Sequence, residues 1–205
     1  AFLTEMGCES ASHGMQIFGG HGYIKETGIE QIVRDVRIST LYEGATAIQA
    51  LDLLGRKILL NKGKELRSLC FEILGFCREN SIFSLNPHGK KMQKVVWPLA
   101  KEVLKWQKYT ITLMLKANKN RNLVGSASVE YLMYSGYLYM GYMWAMMAKT
   151  AHEQIAKNDG DVVFYQSKID TAEFYFERIF PRVKSLSATM MKDPKNMMDM
   201  SEEAF

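Results

Sequence analysis

Glu43 stands in Leu41-Tyr42-Glu43-Gly44-Ala45-Thr46, where a glycine breaks one helical pattern before the next begins. A carboxylate flanked by Leu41, Tyr42 and Ala45 gains proton affinity when it is desolvated, which is what a general base requires. The same position, just ahead of a helix beginning near Ala45, also suits a capping carboxylate. The two roles are compatible. Upstream, Gly19-Gly20-His21-Gly22 places three glycines in four positions, which permits positive φ and close backbone approach. Such a helix stop is often only a turn, and it is not the strand-linked dinucleotide fingerprint. His13 and His21 flank this loop with no third ligand at metal-binding spacing, so no metal site is expected. Cys8, Cys70 and Cys77 include no CxxC pair and read as reduced thiols. Cys70 and Cys77, seven apart, fall on one helix face.

The elements that position these residues are helices. A first helix ends at Phe18, a second runs from Glu26 to Ser39, and a third resumes through Ile48, Leu51, Leu54 and Ile58 to about Asn61. Lys62-Gly63-Lys64 marks a boundary, giving a unit over residues 1–62 and another over 63–205. Helical patterns in the second unit cover about 64–83, 91–119, 126–158 and 161–191, separated by Asn86-Pro87-His88-Gly89, Asn118 to Gly125 and Asn158-Asp159-Gly160. Pro98 should start or kink a helix, which places the beginning of its element near Trp97. The expected fold is all-α, with an antiparallel helical bundle in the second unit. The tail from Lys192, with Met197, Met198 and Met200, reads as loosely ordered or docked on a neighbour.

Composition supports this reading. The chain has 205 residues, 47% hydrophobic and 23% charged, enough to bury a sizeable core. A net charge of +4 is spread among acids, so no nucleic-acid partner is expected. Lys57, Lys62, Lys64 and Arg67 come nearest to a basic stripe, but Glu65 interrupts them. Tyr131 to Ala148 has no charged residue over 18 positions, yet its five tyrosines lie along it instead of at its ends. It is expected to be a buried central helix or subunit interface and not a membrane span. The aromatic and methionine-rich second unit, with Trp97, Trp106 and Trp144, reads as core packing, with a lid over a site as the alternative. The helical pattern is under way at Phe2 with no basic and apolar leader, which suggests a piece cut from a larger protein.

Three stretches carry a resemblance. Gln16-Ile17-Phe18-Gly19-Gly20-His21-Gly22-Tyr23, then Arg34-Asp35-Val36-Arg37-Ile38, then Tyr42-Glu43-Gly44 resemble, in order and spacing, the C-terminal catalytic domain of acyl-CoA dehydrogenases. The likeness covers about the first 60 residues. The remainder is similar to the helical extension of larger, broad-specificity bacterial members, including methylmercaptopropionyl-CoA dehydrogenase-like proteins. The resemblance implies α,β-dehydrogenation of an acyl-CoA thioester to a trans-2-enoyl-CoA, with Glu43 removing the α-proton and hydride passing to FAD. It implies that the backbone N–H of the base residue helps polarise the thioester carbonyl, with Tyr42 and Gly44 beside the substrate. Gln16, Gly19 and Gly20 match positions that contact the FAD of a neighbouring subunit, where a β-carbon would hold the pyrophosphate away.

The chain departs from the family after the Glu-Gly pair. Ala45 replaces the usual flavin-contacting Thr, with Thr46 as a substitute, and Ala47 stands where better-known members have Gln, with Gln49 further along. Arg34, Asp35 and Arg37 are expected to make surface or interhelix ion pairs. The resemblance further implies an electron-transfer flavoprotein or similar acceptor, a homodimer or homotetramer, and a cytoplasmic location if bacterial or the mitochondrial matrix if eukaryotic. The chain alone is expected to be inactive. The alternative is a non-catalytic helical interaction or DNA-binding module derived from the same family.

Overall fold

The computed structural model describes every residue except Asp159 and Phe205, and all side chains but those two and Met198 and Ala204. Asp159, in the break expected at Asn158-Asp159-Gly160, and the Met198 side chain of the expected tail cluster thus lie outside the described residues. The chain is all-α, with no strand among the described residues. Helix α1 (Phe2–Phe18) stops at Gly19, whose φ of 58° is open to glycine and whose amide donates to the Gln16 carbonyl at 3.1 Å. A single turn, α2 (Gly20–Tyr23), follows. Helix α3 (Ile29–Arg37) is shorter than the expected Glu26 to Ser39 because 3₁₀ turns take Lys25–Thr27 and Ile38–Thr40. Helix α4 (Thr46–Leu51) continues directly into a π-helical stretch, Asp52–Leu60.

Lys62 and Gly63, with φ of 52° and 65°, turn the chain into α5 (Lys64–Glu79). Then come α6 (Gly89–Ala117), α7 (Asn122–Lys157) and α8 (Val162–Phe174). Asp161 caps α8, its carboxylate accepting from the Val163 and Phe164 amides at 2.9 and 3.1 Å. Pro181 cannot donate to the helical ladder, and around it the backbone loosens into a π turn (Tyr175–Ile179) and tightens into a 3₁₀ turn (Phe180–Arg182) before α9 (Val183–Met190). One further turn, α10 (Lys195–Met198), lies in the tail.

Pro98 does not open α6. The helix begins at Gly89 and runs through the proline. The bond that Pro98 withholds belongs to the carbonyl of Lys94, an exposed residue of the helix. Gly89 itself is sterically required, since a β-carbon there would lie 2.2 Å from the Ser81 carbonyl oxygen.

Helix α7 is the axis of the core. It packs against α6, α8 and α9, and also against α4 and the π-helical stretch. The tyrosine-rich run lies along it, with Tyr131 and Tyr134 fully buried. Each buried phenol has a partner. The Tyr131 hydroxyl pairs with Thr110 at 2.7 Å, Tyr134 donates to the Glu102 carboxylate at 3.0 Å, and Tyr142 donates to Glu72 at 3.1 Å. Loss of hydration on burial pushes all three phenols up, Tyr142 to about 12. Among the described residues no helix is long and apolar enough to cross a membrane.

Cys70 and Cys77 both face the core from α5, and burial pushes the Cys77 thiol up to about 12. Of the three tryptophans, Trp106 is core, Trp144 is half-buried and Trp97 lies exposed. The helices near the start of the chain are less buried than those of the core. Neither α1 nor α3 has a fully buried residue, and Ile17, Tyr23 and Ile48 stay 84%, 77% and 60% exposed.

Candidate active site

The Glu43 turn is built by hydrogen bonds on both sides. Ahead of it, the Leu41 and Tyr42 amides donate to the Ile38 carbonyl at 2.9 and 3.1 Å, and the Gly44 amide closes back on Leu41 at 3.3 Å. Gly44 has φ of 99°, which a β-carbon disfavours, and a β-carbon there would also meet Gln49 Nε2 at 3.0 Å. That same Nε2 donates to the Glu43 carbonyl at 2.7 Å. The Glu43 backbone N–H, by contrast, donates to no acceptor among the described hydrogen bonds. The turn therefore ties down one face of the Glu43 backbone and leaves a donor available on the other.

The Glu43 side chain is exposed and does not cap α4. The cap residue is Ala45, and no side chain bonds to the helix's first amides. Around Glu43 in the chain, Leu41 and Tyr42 are 50% and 65% exposed, and Ile38 and Ile48 are exposed as well. The apolar neighbours that would desolvate the carboxylate are present, but within this chain nothing covers them.

Thr46 is not free. Its hydroxyl donates to the Glu5 carboxylate of α1. Cys8, one turn along α1, sits with its thiol 3.7 Å from the Val36 carbonyl of α3. A cavity of about 700 Å³ runs between α1, the start of α4 and α7, lined by Glu5, Glu9, Thr46 and Tyr137 among others.

Gln16, Gly19 and Gly20 lie at the other end of α1, all exposed. A β-carbon on Gly20 would meet nothing within 4 Å, so the backbone edge there is open. Gly22 carries the packing role instead: it is buried, and a β-carbon would fall 2.4 Å from the Met15 carbonyl oxygen. Residues of α3 depart from expectation. Asp35 accepts from Gln31 at 2.6 Å, and Arg34, Asp35 and Arg37 make no ion pair among the described residues. Three or more His, Cys, Asp or Glu nowhere gather as a metal-holding group among the described residues. Lys57, one of the basic residues noted above, is paired with Asp52 at 3.3 Å.

Sequence reasoning missed Glu5 and left Gln49 unassigned. Gln49 could have been found, since it lies one helical turn past Ala45 on the same short helix. Glu5 carried no such signal, because its contact with Thr46 spans 41 residues of sequence.

Residues 69–201, more than half of the chain, match the family described as "Acetyl-CoA dehydrogenase C-terminal like". The chain belongs to the acyl-CoA dehydrogenase family. Residues 1–59 match a second description in it, "Acyl-CoA dehydrogenase, C-terminal domain". Among relatives, the chain is 38% identical over 178 residues to the 3-methylmercaptopropionyl-CoA dehydrogenase of Ruegeria pomeroyi, covering 87% of this chain and 29% of that protein. It is 29% identical over 209 residues to the broad-specificity linear acyl-CoA dehydrogenase FadE5 of Mycobacterium tuberculosis, covering 98% and 33%. With a butyryl-CoA dehydrogenase of Syntrophomonas wolfei the identity is 26% over 208 residues, covering 100% and 33%. The chain thus spans about a third of the length of these acyl-CoA dehydrogenases.

Proposed function

We propose that this chain supplies the base-bearing part of an acyl-CoA dehydrogenase that converts an acyl-CoA thioester to its trans-2-enoyl-CoA, with Glu43 taking the α-proton. The observation that carries this reading is the Glu43 turn. It combines a carboxylate set among apolar residues, a Glu43 backbone N–H without an acceptor among the described hydrogen bonds, and a Gly44 whose φ of 99° turns the chain sharply after them. A free backbone donor beside a base suits a thioester whose carbonyl oxygen gains charge as the α-proton leaves.

The residues present fit FAD in one respect, the open glycine edge at Gly19 and Gly20, where no β-carbon bars the approach of a pyrophosphate. When bound, FAD would accept the β-hydrogen as hydride. Gln16, Gly19 and Gly20 would hold it from one subunit, with Ala45 and Thr46 near it in another, and Tyr42 and Gly44 would border the acyl thioester. Glu43 is exposed in this chain, so the desolvation that would raise its proton affinity has to come from surfaces outside residues 1–205, applied to the apolar rim of Leu41, Tyr42 and Ile48. The same reading makes residues 1–62 the end of a catalytic helical domain and 63–205 its helical extension. It also implies a homodimer or homotetramer, and an electron-transfer flavoprotein or similar protein as acceptor.

The test is anaerobic addition of a panel of acyl-CoAs to the full-length flavoprotein and to its Glu43→Gln variant, following flavin absorbance. Bleaching in the parent and none in the variant is expected. A parent that keeps its colour with every thioester, or a variant that bleaches at the parental rate, would refute the reading.

A further inference from the structure

The C-terminal part of the chain reaches the Glu43 turn directly, where α7 packs on α4, and also through α1. Arg182, in the 3₁₀ turn ahead of α9, grips Glu9 with both ends of its guanidinium. Nη2 lies 2.6 Å from Oε1 and Nη1 lies 2.9 Å from Oε2, a planar fork on a carboxylate. Nη1 also donates to the Tyr137 hydroxyl of α7 at 3.0 Å, and that hydroxyl lies 3.5 Å from the Met6 sulfur. Phe2 stands edge-on to the Tyr137 ring at 5.0 Å and rests against Gly136, where a β-carbon would fall 2.2 Å from the Phe2 ring. Phe2, Glu5, Met6 and Glu9 share one face of α1 by their spacing of three and four. Three of the four are therefore fixed by α7 and by the segment before α9, and the fourth, Glu5, accepts the Thr46 hydroxyl at the first residue of α4.

Thr46 is three residues past Glu43, and Gln49, on the same helix, holds the Glu43 carbonyl. Turning or sliding α1 would move Glu5, and with it the start of α4 and the backbone that presents Glu43. We infer that Arg182, Glu9 and Glu5 are positioning residues through which the C-terminal helices set the placement of the Glu43 turn. The inference rests on the reading of Glu43 as base for its catalytic meaning, and on geometry alone for its structural part. Displacing a reacting group by about 1 Å costs on the order of 100-fold in rate, so a tie of this kind has leverage without touching substrate.

Two measurements test it. In the 205-residue chain, amide hydrogen exchange is followed over residues 41–49 in the parent and in Arg182→Met, Glu9→Gln, Glu5→Leu and Thr46→Val. Exchange there should quicken by roughly tenfold or more in all four, while Thr46→Ser, which keeps the hydroxyl, should match the parent. Amides of α7 and α8 report whether each variant is folded, and Glu9→Gln keeps the shape of its side chain should Arg182→Met fail that check. Parental exchange over 41–49 in a folded Glu9→Gln or Arg182→Met chain would overturn the inference. In the full-length flavoprotein, Arg182→Met should slow flavin bleaching by about 10- to 100-fold at saturating acyl-CoA with KM within about twofold. Its effect should be non-additive with that of Glu5→Leu, and additive losses would overturn the relay. A Glu43→Gln enzyme that bleaches like the parent would remove the catalytic role while leaving the exchange result standing, so the two failures are distinguishable.

Discussion

Gly44 and Gln49 decide what the peptide around Glu43 can offer. Gly44 holds a φ of 99° and leaves no room for a β-carbon beside Gln49 Nε2. Gly44→Ala should therefore cost about 1–2 kcal/mol from backbone strain alone, read as a shift in the chain's urea midpoint. The larger effect should be on the enzyme, where loss of the turn re-aims the Glu43 backbone. This residue was legible from Tyr42-Glu43-Gly44 as a break between helical patterns, whereas its positive φ came from the structure. Glu5 was not legible, since a surface-type acid in a first turn looks the same whether or not a hydroxyl from residue 46 meets it. Thr46 was legible as a polar residue near the site. Its partner in this chain, however, is Glu5, which ties α4 to α1.

Between elements, the seam of α6 and α7 is polar where sequence patterning suggested only aromatic packing. Glu102 is 6% exposed and is satisfied by Lys105 at 2.7 Å and by the Tyr134 hydroxyl at 3.0 Å. Tyr134→Phe leaves that buried carboxylate short of one donor and should cost about 1.5–3 kcal/mol, measured by chemical denaturation. The burial of α7 was readable because its tyrosines lie along it instead of at its ends, but the hydroxyl partners of Tyr131, Tyr134 and Tyr142 lie on α6 and α5 and have no trace in the local sequence. Pro98 misled for a similar reason. A proline in the sequence does not say on which face of the helix it leaves a carbonyl unpaired, and here the residue concerned, Lys94, is an exposed one.

The same seam carries a pH dependence. His152 of α7 stacks on His88 at 5.6 Å, and burial, followed by Lys91 and His88, holds its imidazole below the usual range, against an opposing pull from Glu173 of α8. The unfolded chain takes up this proton first, so the stability that depends on neutral His152 is present above pH ~6.5 and is lost as pH falls toward the depressed folded value. Stability measured from pH 7 to 5 should fall less steeply in His152→Leu than in the parent; equal slopes would show that His152 is not the group responsible.

At the scale of the whole molecule, α7 touches both the first unit and the bundle, so the two should not melt separately. Calorimetry of the 205-residue chain should give one transition with matching calorimetric and van't Hoff enthalpies, whereas a low-temperature shoulder would mean that the first unit unfolds alone. Helix content and the turn at Lys62-Gly63 could be read from glycine and periodicity. The dependence of one unit on the other could not, because it resides in contacts such as Glu9 with Arg182, 173 positions apart. That separation has a consequence during biosynthesis. At ~5–20 residues per second of translation, Glu9 leaves the ribosome on the order of ten seconds before the guanidinium that clamps it. Phe2 and Met6 have no α7 to lie on until Gly136 and Tyr137 emerge, late in that interval.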